Sequence, residues 1–155
     1  MVNNIIISDA SCLIALDRIH RLDILHKTFS TIFTTSKVQE EFGRLLPEWI
    51  VIKAVSNQEQ LQQLEQLLDP GEASAITLAL ETYDPILIID EKKGRKIAVG
   101  LNLNIIGTLK VLLMAKQAGV IPLVKPLIEL LDKRSFRFSK VVTDEILELA
   151  NEMGD

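Results

Sequence analysis

The sequence alternates short runs of branched aliphatic residues with longer amphipathic stretches, and this alternation constrains the fold more than any other feature. Aliphatic runs without helical spacing predict buried strands. We assign such strands to residues 5–7, 32–34, 49–55, 86–89 and 104–106. Apolar residues at helical spacing predict helices at residues 11–19, 22–29, 36–46, 58–68, 72–83, 91–101, 108–118, 123–131 and 143–153. Since strands that alternate with helices pair in parallel, we expect a three-layer α/β/α fold with a central parallel sheet of four or five strands.

The composition fits a single domain over residues 1–155. A chain of this length, 48% hydrophobic, is long enough to bury a core and too short for two full domains. Its aliphatic runs are too short to cross a bilayer, and no basic residue precedes the first, so we expect neither a membrane span nor an export signal. The single cysteine excludes an internal disulfide and fits a reducing, cytoplasmic setting. Only two histidines are present, which gives haem, zinc and serine-triad chemistry little support.

The charge balance limits the partners of the chain. With 17 basic and 21 acidic residues, the net charge is −4. A protein that coats nucleic acid is usually basic, so any contact with a polynucleotide must be local. An acidic chain also holds divalent cations where its carboxylates converge, so the position of the acids relative to the strands is decisive.

Two aspartates stand at the ends of the two most aliphatic predicted strands. Asp9 follows the first strand through Ser8, and Asp90 directly follows the fourth. Such strands lie centrally in a parallel sheet, and ligands bind beyond the carboxyl ends of the strands. We therefore expect the two carboxylates to be neighbours. The alternative interpretation is that each aspartate caps the helix that follows it.

A glutamate on the third predicted helix extends this acidic cluster. Ser36 opens the helix at capping-box spacing from Gln39, and Pro47 ends it. Glu41 flanks the apolar face of this helix, which includes Leu45. Because the helix starts just after the second strand, we expect Glu41 to face the sheet one turn in.

A second glutamate, Glu72, lies in the first turn of a later helix and shares a face with its apolar residues. The alternative role is a favourable interaction with the positive end of the helix dipole. Asp17 and Glu65 also flank apolar stripes, but neither stands beside the carboxyl end of a strand. We therefore leave these two acids out of the cluster.

Together, the four acids predict a divalent metal site. Four carboxylates in one cleft cannot all stay ionised without a compensating positive charge. Oxygen ligands without His or Cys favour Mg²⁺ or Mn²⁺. Without these four acids, the chain has 17 acidic residues against 17 basic ones, so the remainder is neutral. The four are Asp9, Glu41, Glu72 and Asp90.

Five segments carry motifs that are specific only in combination. Residues 9–16 read D-A-S-C-L-I-A-L, and residues 38–42 read V-Q-E-E-F. Residues 69–76 read D-P-G-E-A-S-A-I. Residues 90–98 and 106–109 read D-E-K-K-G-R-K-I-A and I-G-T-L. Over about residues 5–131 the chain thus resembles the PIN-domain nucleases, in the branch that carries a G-E-A-x-A-I element.

This resemblance implies a metal-dependent endoribonuclease that hydrolyses phosphodiester bonds in single-stranded RNA. It assigns the catalytic and metal-binding roles to the four acids named above. In many bacterial members the nuclease is the toxin of a VapC-type toxin–antitoxin pair, which implies a cognate antitoxin protein and a homodimer. The sequence departs from that pattern at Glu72, where many relatives have Asp, and at Ile88, where many toxins have a hydroxyl residue.

Polar and basic residues beside the acids have candidate roles in substrate binding. We expect Ser11 and Thr108 to donate hydrogen bonds to the scissile phosphate or to a water on the metal; the alternative is that each caps a helix. Four cations after the fourth strand are expected to contact RNA phosphates, and the alternative is a solvated helix face. They are Lys92, Lys93, Arg95 and Lys96.

Residues 133–140 interleave cations with Phe136 and Phe138. This pattern is typical of proteins that bind single strands. It also fits two aromatic residues that pack the last helix onto the body of the protein, which is the favoured interpretation.

Two functions other than nuclease activity remain open. A receiver-like regulatory module also binds Mg²⁺ at strand ends, but it needs an acidic pair where Asp9 is flanked by Ser8 and Ala10. A PIN-fold protein that binds without cutting is the second alternative. Nucleotide binding through a P-loop or a G-x-G-x-x-G motif is disfavoured, because neither motif occurs.

Overall fold

The computed structural model of the chain describes residues 4–154, which contain a five-stranded parallel sheet. The strands are β1 (Ile5–Ser8), β2 (Ile32–Thr34), β3 (Ile50–Ile52), β4 (Pro85–Ile88) and β5 (Asn104–Ile106). Their order across the sheet is β3-β2-β1-β4-β5. Helices flank the sheet in three α/β/α layers, which confirms the predicted fold class. The two most aliphatic strands, β1 and β4, are neighbours at the centre, as expected.

Nine helices lie within residues 4–154. They are α1 (Ala10–Arg18), α2 (Asp23–Phe29), α3 (Ser36–Phe42), α4 (Gln58–Glu65), α5 (Pro70–Leu80), α6 (Lys92–Gly100), α7 (Thr108–Gln117), α8 (Lys125–Lys133) and α9 (Lys140–Leu149). Within the described part of the chain, none of them has the length and apolar character needed to cross a bilayer.

The register of the two central strands brings the ends of β1 and β4 together. They pair in parallel from Ile5 with Pro85 to Ser8 with Ile88. Beyond the last pair, the Asp9 N–H donates to the Ile88 carbonyl at 3.1 Å. The side chains that follow both strands therefore start from the same edge of the sheet.

Helix α5 lies inside the core, since residues 71–79 are all buried. Its residues are mostly small or aliphatic, as expected for a helix that is covered on all sides. The buried hydroxyls of Ser74 and Thr77 donate to backbone carbonyls of the same helix, at 2.9 and 2.8 Å. Asp69 caps the helix and Pro70 occupies its first turn, so α5 begins two residues before the predicted start.

Helix α3 differs from its prediction at both ends. Its cap is Thr35 instead of Ser36: the backbone of Thr35 is extended, and its hydroxyl accepts from the Val38 N–H at 3.2 Å. The helix ends at Phe42 because Gly43 adopts a left-handed conformation with φ of 89°, well before Pro47. Leu45, expected on the apolar face, therefore lies outside the helix and is 84% exposed.

Replacement of Ile7 by Ala should destabilise the fold by about 2–5 kcal/mol, because this fully buried β1 side chain would leave a cavity between central strands. Ile52→Ala is the matched control on the edge strand β3, where the side chain is 40% exposed. Its loss should be about 1 kcal/mol or less. Urea unfolding followed by circular dichroism measures both values. Equal losses would contradict the central placement of β1.

Candidate active site

Asp9 is buried at the junction between β1 and α1, with 2% of its surface exposed. Its Oδ1 accepts hydrogen bonds from the N–H and the hydroxyl of Ser11, at 3.2 and 3.0 Å. Asp9 therefore caps α1, as the alternative interpretation proposed. Ser11 itself is not the cap; it donates the two hydrogen bonds that Asp9 accepts. Both bonds go to the same oxygen, which leaves Oδ2 of Asp9 available to another ligand.

Asp90 binds the start of α7 instead of capping the helix that follows it. The cap of α6 is Glu91, whose side chain accepts from the Gly94 N–H at 3.0 Å. Asp90 accepts a hydrogen bond from the Thr108 N–H at 2.9 Å on Oδ1, and the Thr108 hydroxyl donates to Oδ2. The cap interpretation is therefore wrong for Asp90. It is wrong for Thr108 as well, since α7 has no side-chain cap and begins after Gly107.

Glu41 contacts the first turn of α5. Its Oε1 accepts from the Gly71 N–H at 2.9 Å, although Glu41 itself is exposed on α3. Partial burial and the charge of Asp69 raise the pKa of Glu41. The neighbouring Glu40 pairs with Lys37 at 3.8 Å, which confirms that the two adjacent glutamates point in different directions.

Glu72 is the least satisfied acid of the site. It is 8% exposed, and its Oε2 is buried without a hydrogen-bond partner among residues 4–154. Burial raises the pKa of Glu72 to about 8, with further contributions from Asp69, Glu91 and Asp9. The positive end of the helix dipole therefore does not suffice to keep this carboxyl ionised at neutral pH. A buried oxygen without a donor is the feature that a cation would satisfy.

Electrostatic repulsion links the predicted acids. Burial, followed by the charges of Asp90 and Glu41, raises the pKa of Asp9 to about 7. Among the described residues, no Lys, Arg or His forms a salt bridge with any of the four acids. The described part of the chain thus holds like charges near each other without an ion pair to any of them, although Nη1 of Arg95 and Oδ1 of Asp90 both approach Gly107. Divalent ions compensate such an arrangement.

The four acids interact, yet they do not form a ready-made ligand cluster. Within residues 4–154, no three His, Cys, Asp or Glu side chains are placed so that they hold one metal ion together. The hydrogen bonds described above explain this arrangement. Asp9, Glu41 and Asp90 each turn an oxygen towards a donor of a neighbouring segment, so an ion would have to draw these carboxylates together.

Three glycines leave room for three of the carboxylates. A Cβ on Gly71 would meet Oε1 of Glu41 at 2.1 Å, and one on Gly94 would meet Oε2 of Glu72 at 2.8 Å. A Cβ on Gly107 would meet Oδ1 of Asp90 at 2.8 Å. In each case the carboxylate packs directly against backbone at the start of a helix. Gly71 and Gly94 lie in the first turns of α5 and α6, and Gly107 directly precedes α7. The glycines therefore shape the walls of the acidic site.

Sequence reasoning missed two acids that border this site. Asp69 accepts from the Glu72 N–H at 2.9 Å, and its nearby carboxyl raises the pKa of both Glu41 and Glu72. Glu91 adds its charge to Glu72. Both residues are helix caps. An acid directly before Pro at a helix start was the available signal for Asp69.

The basic residues of α6 divide into two kinds. Lys92, Lys93 and Lys96 are exposed, as on a solvated helix face. Arg95 is half-buried, and its Nη1 donates to the Ile89 carbonyl at 2.8 Å. It therefore holds the end of β4 in place, whereas the lysines are free to contact other molecules.

A groove of about 1000 Å³ adjoins Asp90, whereas Asp9, Glu41 and Glu72 do not line it. Ser11, Asp90 and Arg95 line it together with residues 135–139. Phe136 and Phe138 are half-buried and pack against the core, which confirms the favoured interpretation of this segment. Of the two acids left out of the prediction, Asp17 pairs with Arg44 and Glu65 is exposed on α4.

Comparison with known proteins gives one family match. The family described as DUF3368, PIN domain, matches the chain over residues 5–152. A comparison with curated proteins found no match. The matched range spans every strand of the sheet and all four predicted acids.

Gly94→Ala should weaken the response of the protein to Mn²⁺, since the new Cβ would displace Oε2 of Glu72. Gly100→Ala, on the same helix, is the control because its Cβ would enter open space. The control should keep the wild-type response and gain about 0.4–1 kcal/mol of stability. Thermal unfolding with and without Mn²⁺ measures the metal-dependent change in Tm. If both variants respond like the wild type, Glu72 does not take part in binding.

In a chelator, the wild-type protein should lose stability as the pH rises from about 5 to about 8. The folded-state pKa values of Asp9 and Glu72, about 7 and about 8, lie above the unfolded values of about 3.9 and 4.3. The folded state therefore binds more protons over this interval, and its stability falls with rising pH. Asp9→Asn should be more stable than the wild type at the upper end of the range. Urea unfolding gives the values, and a wild-type stability that rises over this interval would refute the shift.

Proposed function

The chain belongs to the PIN-domain family, whose members are generally nucleases, and from this premise we propose that it is a Mg²⁺- or Mn²⁺-dependent endoribonuclease that cleaves single-stranded RNA. One observation carries the proposal beyond the family. The buried Oε2 of Glu72 has no donor among the described residues, and it lies in a site whose four acids form no salt bridge within residues 4–154. A bound cation resolves both conditions.

The metal would be held by Asp9, Glu41, Glu72 and Asp90. When bound, a divalent ion lowers the pKa of a water molecule and stabilises the negative charge that develops on phosphate oxygens. Asp9 presents its free Oδ2 while Ser11 holds Oδ1. Thr108 orients the Asp90 carboxylate through two hydrogen bonds, which join the segments that follow β4 and β5.

The substrate is held by groups outside the acidic site. Ser11 lines the groove, and its hydroxyl donates to Asp9. It can donate to a phosphate oxygen instead. Lys92 lines the groove with Asp90, and Lys93 and Lys96 are exposed on the same helix; their ammonium groups are available to flanking phosphates. Arg95 acts indirectly, because its bond to the Ile89 carbonyl positions the backbone that carries Asp90.

The resemblance to VapC-type toxins supports a biological setting for this activity. We infer a single nuclease domain over residues 1–155 that acts in the cytoplasm as the toxin of a type II toxin–antitoxin pair. Its partners are then a cognate antitoxin protein and a second copy of the chain in a homodimer. The G-E-A-S-A-I segment at residues 71–76 supports membership of the branch that carries a G-E-A-x-A-I element.

One observation favours a second candidate, a PIN-fold protein that binds without cutting. Within residues 4–154 the acids are not prearranged as a group of three around one ion. A protein that had lost its activity would show the same arrangement. The family match, by contrast, favours a PIN domain over the receiver-like module.

Purified protein with Mn²⁺ should cleave single-stranded RNA, and Glu41→Gln should slow cleavage by about 100-fold or more, since it removes a charge that the ion requires. Glu40→Gln is the matched control one residue earlier, on a side chain that pairs with Lys37 at the surface. It should cleave like the wild type. Gel-resolved cleavage of labelled RNA gives the rates.

Asp9→Asn combined with Asp90→Asn should abolish that cleavage. Equal cleavage by this variant and the wild type would assign the activity to a contaminant. Binding of Mn²⁺ and RNA by the wild type, without cleavage, would establish the second candidate.

A further inference from the structure

The groove beside the acids extends well beyond the space that one phosphodiester needs. Its volume of about 1000 Å³ lies at the upper end of the range of about 300–1,000 Å³ found for ligand pockets. Asp90 and Ser11 belong to its lining, and so do Phe136, Arg137 and Phe138 from the segment between α8 and α9. A ligand strand that passes Asp90 in this groove is therefore expected to contact the segment between α8 and α9.

Two cations that line the groove, Lys110 and Arg137, are available to an anionic ligand. Lys110 lines the groove, is exposed, and forms no salt bridge within residues 4–154. Arg137 pairs only with Asp132, at 3.2 Å, and the two side chains are 76% and 61% exposed. An ion pair this exposed contributes little and is easily exchanged for a phosphate. The groove lining as a whole contains the cations Lys92, Arg95, Lys110 and Arg137 and the acids Asp90, Glu91 and Glu145.

The aromatic residues of the segment differ in what covers them. The Arg18 guanidinium lies 5.4 Å from the centre of the Phe136 ring. Among the described residues, no cation or ring stacks on Phe138, which also lines the groove. A half-buried ring that is fixed by the core and open to a groove is suited to stack a base.

We propose that this groove is a subsite for single-stranded RNA, in which a base next to the scissile bond stacks on Phe138 and flanking phosphates contact Lys110 and Arg137. The inference rests on the proposed function, since the strand must cross Asp90 to be cut. It adds that residues 135–139 and α7 hold the substrate on one side of the acids. The preference for an unpaired strand follows, because only an unpaired base offers its face to a ring.

Fluorescence anisotropy in EDTA tests the subsite without cleavage, with a labelled, mixed-sequence RNA of about 12 nucleotides as the probe. Lys110→Ala/Arg137→Ala should weaken binding and lower the slope of log K against log salt by about 1.4, or about 0.7 for each lost phosphate contact. Lys125→Ala/Lys27→Ala is the matched control. Lys125 is exposed like Lys110, and Lys27 is 61% exposed and pairs with Asp23 at 3.1 Å, as Arg137 pairs with Asp132.

Phe138→Leu keeps an apolar side chain in the core but removes the ring. It should raise the Kd for the same RNA about fivefold or more and leave the salt slope unchanged. Photocrosslinking of the wild-type protein to RNA that contains 5-iodouridine provides a second readout, which does not depend on the stability of the Phe138→Leu variant. Crosslinks should map to the peptide that contains residues 135–139.

The outcomes separate this inference from the proposed function. Groove variants that bind RNA like the control, or crosslinks that map elsewhere, would overturn the subsite even if Mn²⁺-dependent cleavage is found. Groove-dependent binding in EDTA, together with no cleavage when Mn²⁺ is supplied, would uphold the subsite and refute the nuclease. Absence of RNA binding, together with a dimer that dissociates in Lys110→Ala/Arg137→Ala during size-exclusion chromatography, would overturn the inference in favour of a protein partner.

Discussion

Burial of mutually repelling carboxylates beyond the carboxyl ends of the central strands is the constraint on which the rest of the structure depends. Asp9 and Glu72 are almost fully buried, and their pKa values are raised to about 7 and about 8, respectively. Burial of like charges opposes folding unless protons or cations compensate. The hydrogen bonds of Ser11 and Thr108, and the glycines that leave room for the acids, maintain this unfavourable arrangement. Such an arrangement is expected at a ligand-binding site that is maintained at a cost in folding stability.

The central part of the fold was predictable from the sequence because its signals are local. The aliphatic runs of β1 and β4 mark buried parallel strands, and parallel strands end at a common edge. That geometry alone makes Asp9 and Asp90 neighbours, which the register of the two strands confirms. Sequence reasoning also separated Glu41 from Glu40 by helical periodicity, and the Lys37 pair of Glu40 bears out their different directions.

Features that depend on a few backbone angles or on distant contacts were not predictable. Thr35 and Ser36 are both good caps, and the extended backbone of Thr35 decides between them. Asp69 resembles an ordinary turn residue until α3 and α5 pack together and bring it against Glu41. The groove is formed by residues from opposite ends of the chain, so no local pattern marks it.

The most direct measurement is the anomalous X-ray signal of crystals of the protein grown with Mn²⁺. The account predicts a peak within ligand distance of carboxylate oxygens of Asp9 and Asp90, with Glu72 turned towards it. Such a peak would show that the acids close around a cation once one is present. A peak only at surface acids such as Asp17 or Glu65, or none near Asp9, would contradict the metal site and the chemistry derived from it.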